Sequence, residues 1–326
     1  MNGYIVYESK GPYVGIRHCL FNLKALILEA AYLDRIPVVR PLRMHPKHNF
    51  GIKLNTQWAK YWDLHKTEVY YRNNEKYELM QKPFSFILEE DFKDLKFGDN
   101  QVYRLNYQQE ITEADNNKYD LIIRSLRGIY RGWWLDAVPD KIQKNIRISF
   151  KVSDDVARIS REIIQLLGWY AAVHVRRGDM LRRNKCLNKF TSPKHIYRTL
   201  REIVPFESNV YILTNERDRN FFDYLKKHYR IYQYFNFNEL VEIVSGHEPD
   251  NYFLFMVELN IFENAEKKIG TFKSRSYFLE WDEVFPLSKY TTVDFKLSFR
   301  LKRYFRKKRS SFWKFLDRFK PIFFIV

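Results

Sequence analysis

The chain has 326 residues, 45% of them hydrophobic and 17% aromatic, which is enough for one large or two ordinary domains and too apolar for a disordered chain. The net charge is +17, but residues 296–320 hold 11 Lys/Arg against one acid, Asp317. Ten of those charges therefore sit in the tail, and the mildly basic body does not read as a nucleic-acid surface.

Met1 leads almost at once into Tyr4-Ile5-Val6-Tyr7, a β-rich run too short for the apolar core of a signal peptide. No run of about 20 apolar residues occurs. Two cysteines, Cys19 and Cys186, give neither a disulfide framework nor a zinc-ligand pattern. A protein of the reducing cytoplasm is the expectation.

Gly11, Pro12 and Gly15 mark a loop after the first strand. Leu20, Leu23, Ile27, Ala30 and Ala31 then recur at helical spacing, and Ile36–Val39 reads as the next strand. This βαβ unit predicts a parallel sheet. Residues 45–150 mix aromatics and charges without a sustained period, and read as long loops and helices completing a first domain. Alternation returns at Ser153-Asp154-Asp155, a helix start by composition. A strand is expected at 169–175, a helix capped by Ser192-Pro193, and a strand at 210–213. A helix at 216–229, a strand at 231–235, a helix at 252–265 and a strand at 268–272 follow. The fold class is α/β, with two Rossmann-like domains facing a cleft, at 1–150 and 151–293, and a basic tail at 294–326.

Ligands of open parallel sheets bind at the carboxyl ends of strands, so residues just after each strand matter most. His174-Val175-Arg176-Arg177-Gly178-Asp179 ends one strand in a polar cluster. Its arginines are planar, permanently charged donors suited to a diphosphate. Gly178 permits a close backbone approach, and Asp179 can orient an arginine or His174. The same residues also fit a strand running into a solvated loop. Asn215 and Glu216 follow the next strand, where helix capping explains them as well as a ligand does. Glu258 opens the segment ELNIFENAEKKIGTFKSRSYF. Its carboxylate can accept from the two N–H donors of a guanine edge, or stand as an exposed helix acid. Thr271, Ser274 and Ser276 then resemble a helix start, which suits phosphate.

HVRRGD resembles the H-x-R-R-x-D motif of the alpha-1,2- and alpha-1,6-fucosyltransferases, and is similar to the matching segment of rhizobial and protein O-fucosyltransferases. Glu258 and Ser274 keep the sixteen-position spacing of that superfamily's third motif. Ser276-Tyr277-Phe278 resembles its S-W-W, and Thr214-Asn215-Glu216 stands where T-D-D or S-D-D is frequent. The resemblance covers residues 165–282. It is fainter at Gly11–His18, which departs from the alpha-1,2 pattern G-G-L-G-N-Q.

The resemblance implies a GT-B-like fold and an inverting, metal-independent transfer of fucose from GDP-fucose to a glycan or protein acceptor. The second domain would hold the donor and the first would face the acceptor. Arg176 would stabilise charge on the leaving diphosphate, supported by Arg177 and Asp179. His174, Asn215, Glu216, Glu258, Thr271, Ser274, Arg275 and Ser276 would bind the donor. Arg17 and His18, at the start of the first helix, would line the cleft, or be ordinary surface residues. No cofactor and no metal are expected: the second half has no D-x-D after a strand, and Asp154-Asp155 reads as a cap. The general base is not visible, since Glu202 is the only acid between Met180 and Ile203.

The tail interleaves Phe299, Leu301, Phe305, Phe312, Trp313, Phe315, Leu316 and Phe319 with its basic residues. Such a segment suits an anionic membrane surface and implies peripheral association with the inner membrane face. It also fits a packed final helix. Two other readings stand beside the enzyme: the same fold acting on another nucleotide sugar, and a non-enzymatic basic protein of membrane surfaces or nucleic acid.

Overall fold

The computed structural model describes residues 3–8, 15–52, 54–72, 79–82, 84–106, 109–125, 142, 145–178, 181, 187–270 and 284–286. The chain divides into two compact units, residues 1–166 with 234–261, and residues 167–233 with 262–326.

The first unit opens with β1 (Tyr4–Glu8), α1 (Ile16–Leu33) and β2 (Ile36–Val39). Ile5, Val6 and Tyr7 are all buried, as expected of a parallel strand covered on both faces. Leu20, Leu23, Ile27 and Ala30 put the apolar stripe of α1 inside. The helix stops at Asp34, which adopts φ 55° and donates its N–H back to the Ala30 carbonyl. A short polar side chain tolerates that left-handed backbone.

The next strands are β3 (Leu42–Met44), β4 (Leu54–Thr56), β5 (Trp62–Arg72), β6 (Leu79–Lys82), β7 (Ile87–Leu88), β8 (Val102–Asn106), β9 (Leu121–Ser125) and β10 (Ile146–Val152). Five of them form an all-parallel sheet in the order β7-β2-β1-β9-β8. β10-β5-β6 is an antiparallel sheet, and β3 pairs antiparallel with β4. This corrects the expectation of loops and helices over 45–150. Most of the regular structure described there is strand.

Two buried polar nodes tie this unit together. Glu29 of α1 accepts the Tyr7 hydroxyl at 2.6 Å and Arg124 Nε at 2.9 Å, while Arg124 Nη1 donates to the Asn106 and Gln109 carbonyls. Burial, reinforced by the Glu29 charge, pushes the Tyr7 phenol pKa well up. In the second node Asp250 Oδ2 accepts the Tyr61 hydroxyl at 2.9 Å and pairs with Lys60 at 2.6 Å. Its Oδ1 accepts the N–H groups of Tyr252 and Phe253.

The second unit is built on β11 (Tyr170–Val175), β12 (Asn209–Thr214), β13 (Arg230–Tyr232), β14 (Lys267–Gly270) and β15 (Val284–Pro286). They pair in parallel in the order β13-β12-β11-β14-β15. Of the helices along this part of the chain, α3 (Pro193–Ile203) belongs to this unit, while α2 (Asp154–Leu167), α4 (Asn238–Ser245) and α5 (Asn251–Glu263) fall almost wholly within the first. The chain leaves β11 in one direction through β12 and β13, then returns to its other side with β14. That makes the β11/β14 junction a topological switch point.

All six residues of β11 are buried. Ala171, Val173 and Val175 pack with Val210, Ile212, Ile196 and Leu200 of α3, and with Phe222 and Leu225. His174 points to the other face, where its ring meets Phe262 edge-on at 6.1 Å. The helix expected over 216–229 shrinks to Asp223–Lys226. Glu216 and Asp218 fold their carboxylates onto nearby N–H groups and hold a turn instead. The expected strand 231–235 ends at Tyr232, followed by a 3-10 turn at Tyr234–Asn236.

Candidate functional site

The carboxyl ends of β11 and β12 are locked together. Thr214 Oγ1 donates to the Val175 carbonyl at 2.7 Å and accepts from the Glu216 N–H at 3.0 Å. One residue further on, the Arg177 N–H donates to Asn215 Oδ1 at 2.7 Å.

Arg177 is firmly committed, at 6% exposure. Its Nε donates to Glu216 Oε2 at 2.6 Å, Nη1 to Thr191 Oγ1 at 2.6 Å, and Nη2 to Asn188 Oδ1 at 2.9 Å. Its guanidinium also lies over the Phe221 ring, 4.1 Å from the centroid. The planar fork reaches all of these partners at once, which an ammonium cannot do. Burial raises the pKa of the Glu216 carboxyl, but the Arg177 hydrogen bond and two backbone N–H groups outweigh it, and the net shift is downward.

Gly178 completes the arrangement. A Cβ there would sit 2.5 Å from Asn215 Nδ2 and 3.1 Å from its Cγ. The Asn215 side chain lies where that methyl would be, because its oxygen is held by the Arg177 N–H. The sequence Arg177-Gly178 and the distant Asn215 are therefore one device. It fixes the backbone leaving β11, and Arg176, partly exposed, is the residue between the strand and the clamp.

Of the residues expected at the site, the structure brings Arg176, Arg177, Asn215 and Glu216 to these two adjacent strand ends. His174 is 8% exposed and lies in the strand, on the face toward Phe262. Glu258 is on α5 and only 4% exposed, which sets aside its reading as an exposed helix acid. The backbone of Arg17 and His18 lies in the first turn of α1, as expected of a helix start. Asp179, Thr271, Ser274, Arg275, Ser276 and the tail 294–326 lie outside the described residues. The Ser192-Pro193 helix start is found, although the Ser192 hydroxyl donates backwards to the Lys189 carbonyl instead of capping α3.

Sequence reasoning missed Asn188, Thr191 and Phe221. Nothing in their local pattern marks them as partners of a buried arginine 11 or more positions away. Among the described residues no group of three or more His, Cys, Asp or Glu is arranged to hold a metal, and no helix is long and apolar enough to cross a membrane.

No family model matches the chain, and no curated protein sequence matches it. Among solved structures it is similar to POFUT1 in complex with GDP-fucose, at 14% identity and a TM-score of 0.45, over 82% of this chain and 90% of that one. It is also similar to NodZ alpha-1,6-fucosyltransferase soaked with GDP-fucose, at 9% identity and a TM-score of 0.43, over 83% and 88%. The fucosyltransferase NodZ from Bradyrhizobium aligns at 8% identity and a TM-score of 0.46, over 82% and 88%.

Proposed function

We propose that the protein is an inverting, metal-independent glycosyltransferase that moves fucose from GDP-fucose to a glycan or protein acceptor. The second parallel sheet, within residues 151–293, holds the donor, and the first, within 1–150, serves the acceptor. The observation that carries this reading is the Arg177 clamp. It holds the backbone just past β11, beside the switch point where open α/β sheets bind ligands, and there it presents a second arginine whose guanidinium suits a diphosphate.

The two arginines then divide the work. Sugar transfer passes through an oxocarbenium-like state, and the departing nucleotide gains negative charge as the bond to the sugar breaks. Arg176 stabilises that growing charge, and preorganised donors of this kind lower a barrier more than they tighten binding. Arg177, spent on Glu216, Thr191 and Asn188, serves as the positioning residue. The resemblance of HVRRGD to the fucosyltransferase motif supports fucose over other sugars.

Thermal-shift measurements of the full chain with GDP, UDP and CMP test the nucleotide. GDP is expected to stabilise most, and equal shifts with all three would remove guanine recognition. Turnover of GDP-fucose tests the arginine. Arg176→Ala is expected to lose about 10²–10³ in rate at saturating donor, Arg176→Lys to recover little, and EDTA to leave the wild type active. Turnover of Arg176→Ala within about threefold of wild type, under about 1 kcal/mol, would exclude Arg176 from the mechanism.

A further inference from the structure

The first unit holds a cavity of about 450 Å³, a volume typical of small-ligand sites. It lies just past the carboxyl ends of β2 and β7. Leu88, the last residue of β7, lines it. Trp58, also in the lining, donates its indole N–H at 2.7 Å to the carbonyl of Arg40, the residue after β2. That is the edge of a parallel sheet at which ligands bind.

Two kinds of side chain face this space. Trp58 is buried beneath it, and His65 and Phe86 stand together with ring centroids 5.0 Å apart. Around these rings are Gln57, Asp63, Glu90, Asp154 and Asp155. Gln57 donates to Glu90 at 3.2 Å, and Lys66 bridges Asp63 and Asp154 at 3.0 and 2.9 Å. Arg158 lies 3.8 Å from Asp155, and together with Lys66 it neutralises only part of that charge, since the lining contains four carboxylates.

We infer that this cavity is a sugar-binding subsite for the acceptor, taking a hydroxyl-rich sugar that is uncharged or carries an amino group. Aromatic rings offer a flat apolar surface to the C–H face of a pyranose. Carboxylates and an amide accept from its hydroxyl groups, and hydrogen bonds to charged acceptors are the stronger kind. The surplus of carboxylates repels phosphates and acidic sugars, so a nucleotide diphosphate has no place here. As an acceptor subsite the assignment rests on the glycosyltransferase reading; as a sugar site it stands on the lining alone.

The test uses the full chain and saturation-transfer NMR with lactose, glucosamine and glucose 6-phosphate at millimolar concentration. Lactose and glucosamine are expected to receive saturation, and glucose 6-phosphate is not. Phe86→Ala weakens sugar binding about tenfold, the scale of one lost aromatic contact. Glu90→Lys, at an exposed position, admits glucose 6-phosphate. Absence of transfer to both sugars, equal binding of the phosphate in the wild type, or indifference to both substitutions overturns the subsite. The GDP thermal shift is measured on the same samples and stays unchanged in both variants. If the wild type binds sugar but not GDP, the donor reading fails while the subsite survives.

Discussion

Arg177→Ala is predicted to damage the fold where Arg176→Ala damages turnover. The guanidinium of Arg177 is buried and makes hydrogen bonds of 2.6, 2.6 and 2.9 Å to Glu216, Thr191 and Asn188, with an aromatic ring at 4.1 Å. Removing it takes the cation from Glu216, whose other oxygen keeps only the N–H groups of Arg217 and Asp218. Breaking one side of a buried ion pair costs about 3–5 kcal/mol, and Glu216 keeps 19% of its side chain exposed, which pulls that part toward the lower end. The lost ring contact adds about 1 kcal/mol, so the total stays at about 3–5 kcal/mol. Arg176→Ala, at a partly exposed position, costs about 1 kcal/mol or less. Urea unfolding followed by circular dichroism and tryptophan fluorescence compares the two variants with wild type. A drop of several kcal/mol in the first and almost none in the second is the expected result. Arg177→Lys restores little, because one ammonium cannot span the three acceptors. Equal unfolding midpoints for both alanine variants would refute the division of labour.

Gly178→Ala is expected to displace the Asn215 side chain and cost about 1–2 kcal/mol. Asn215→Ala removes the obstacle, so a double-mutant cycle by urea unfolding should show less than additive loss; strict additivity would contradict the contact. The Glu216 carboxyl has its pKa lowered in the folded state. Its contribution to stability is therefore complete above the ordinary glutamate pKa of about 4.3 and fades as the pH falls through the lower folded value. Glu216→Gln should lose that part of the acid-side slope in melting temperature measured between neutral pH and the acid transition.

The two parallel sheets were legible because their central strands announce themselves. Ile5, Val6 and Tyr7, and every residue of β11, are buried, and a run buried on both faces reads as an unbroken apolar stretch. β5 hid its alternation. Trp62 and Leu64 face inward, then Thr67 and Val69 do so, a change of phase between two halves that each alternate. The cause is a bulge: β10 advances from Ser149 to Lys151 while its partner goes from Glu68 to Asp63. The arginine pair was legible as a motif. The distinction between its members was not, since the acceptors that claim Arg177 come from two other segments of the chain, one holding Asn188 and Thr191 and the other Glu216. The helix read over 216–229 failed because Phe222, Leu225 and Tyr229 fill the core from one helical turn and its flanks as well as they would from a long helix.

The Asp250 node sets a timetable for biosynthesis. Tyr61 and the carboxylate that accepts its hydroxyl are separated by 189 positions, roughly 10–40 s of translation at ordinary elongation rates. Residues 170–232, which supply β11, β12 and β13, are all made within that interval. The first unit is thus missing a structural carboxylate while three strands of the second sheet have already been synthesised. Maturation of the two units must overlap in time, and a nascent chain halted near residue 150 would leave Lys60 and Tyr61 without the acid that neutralises one and anchors the other.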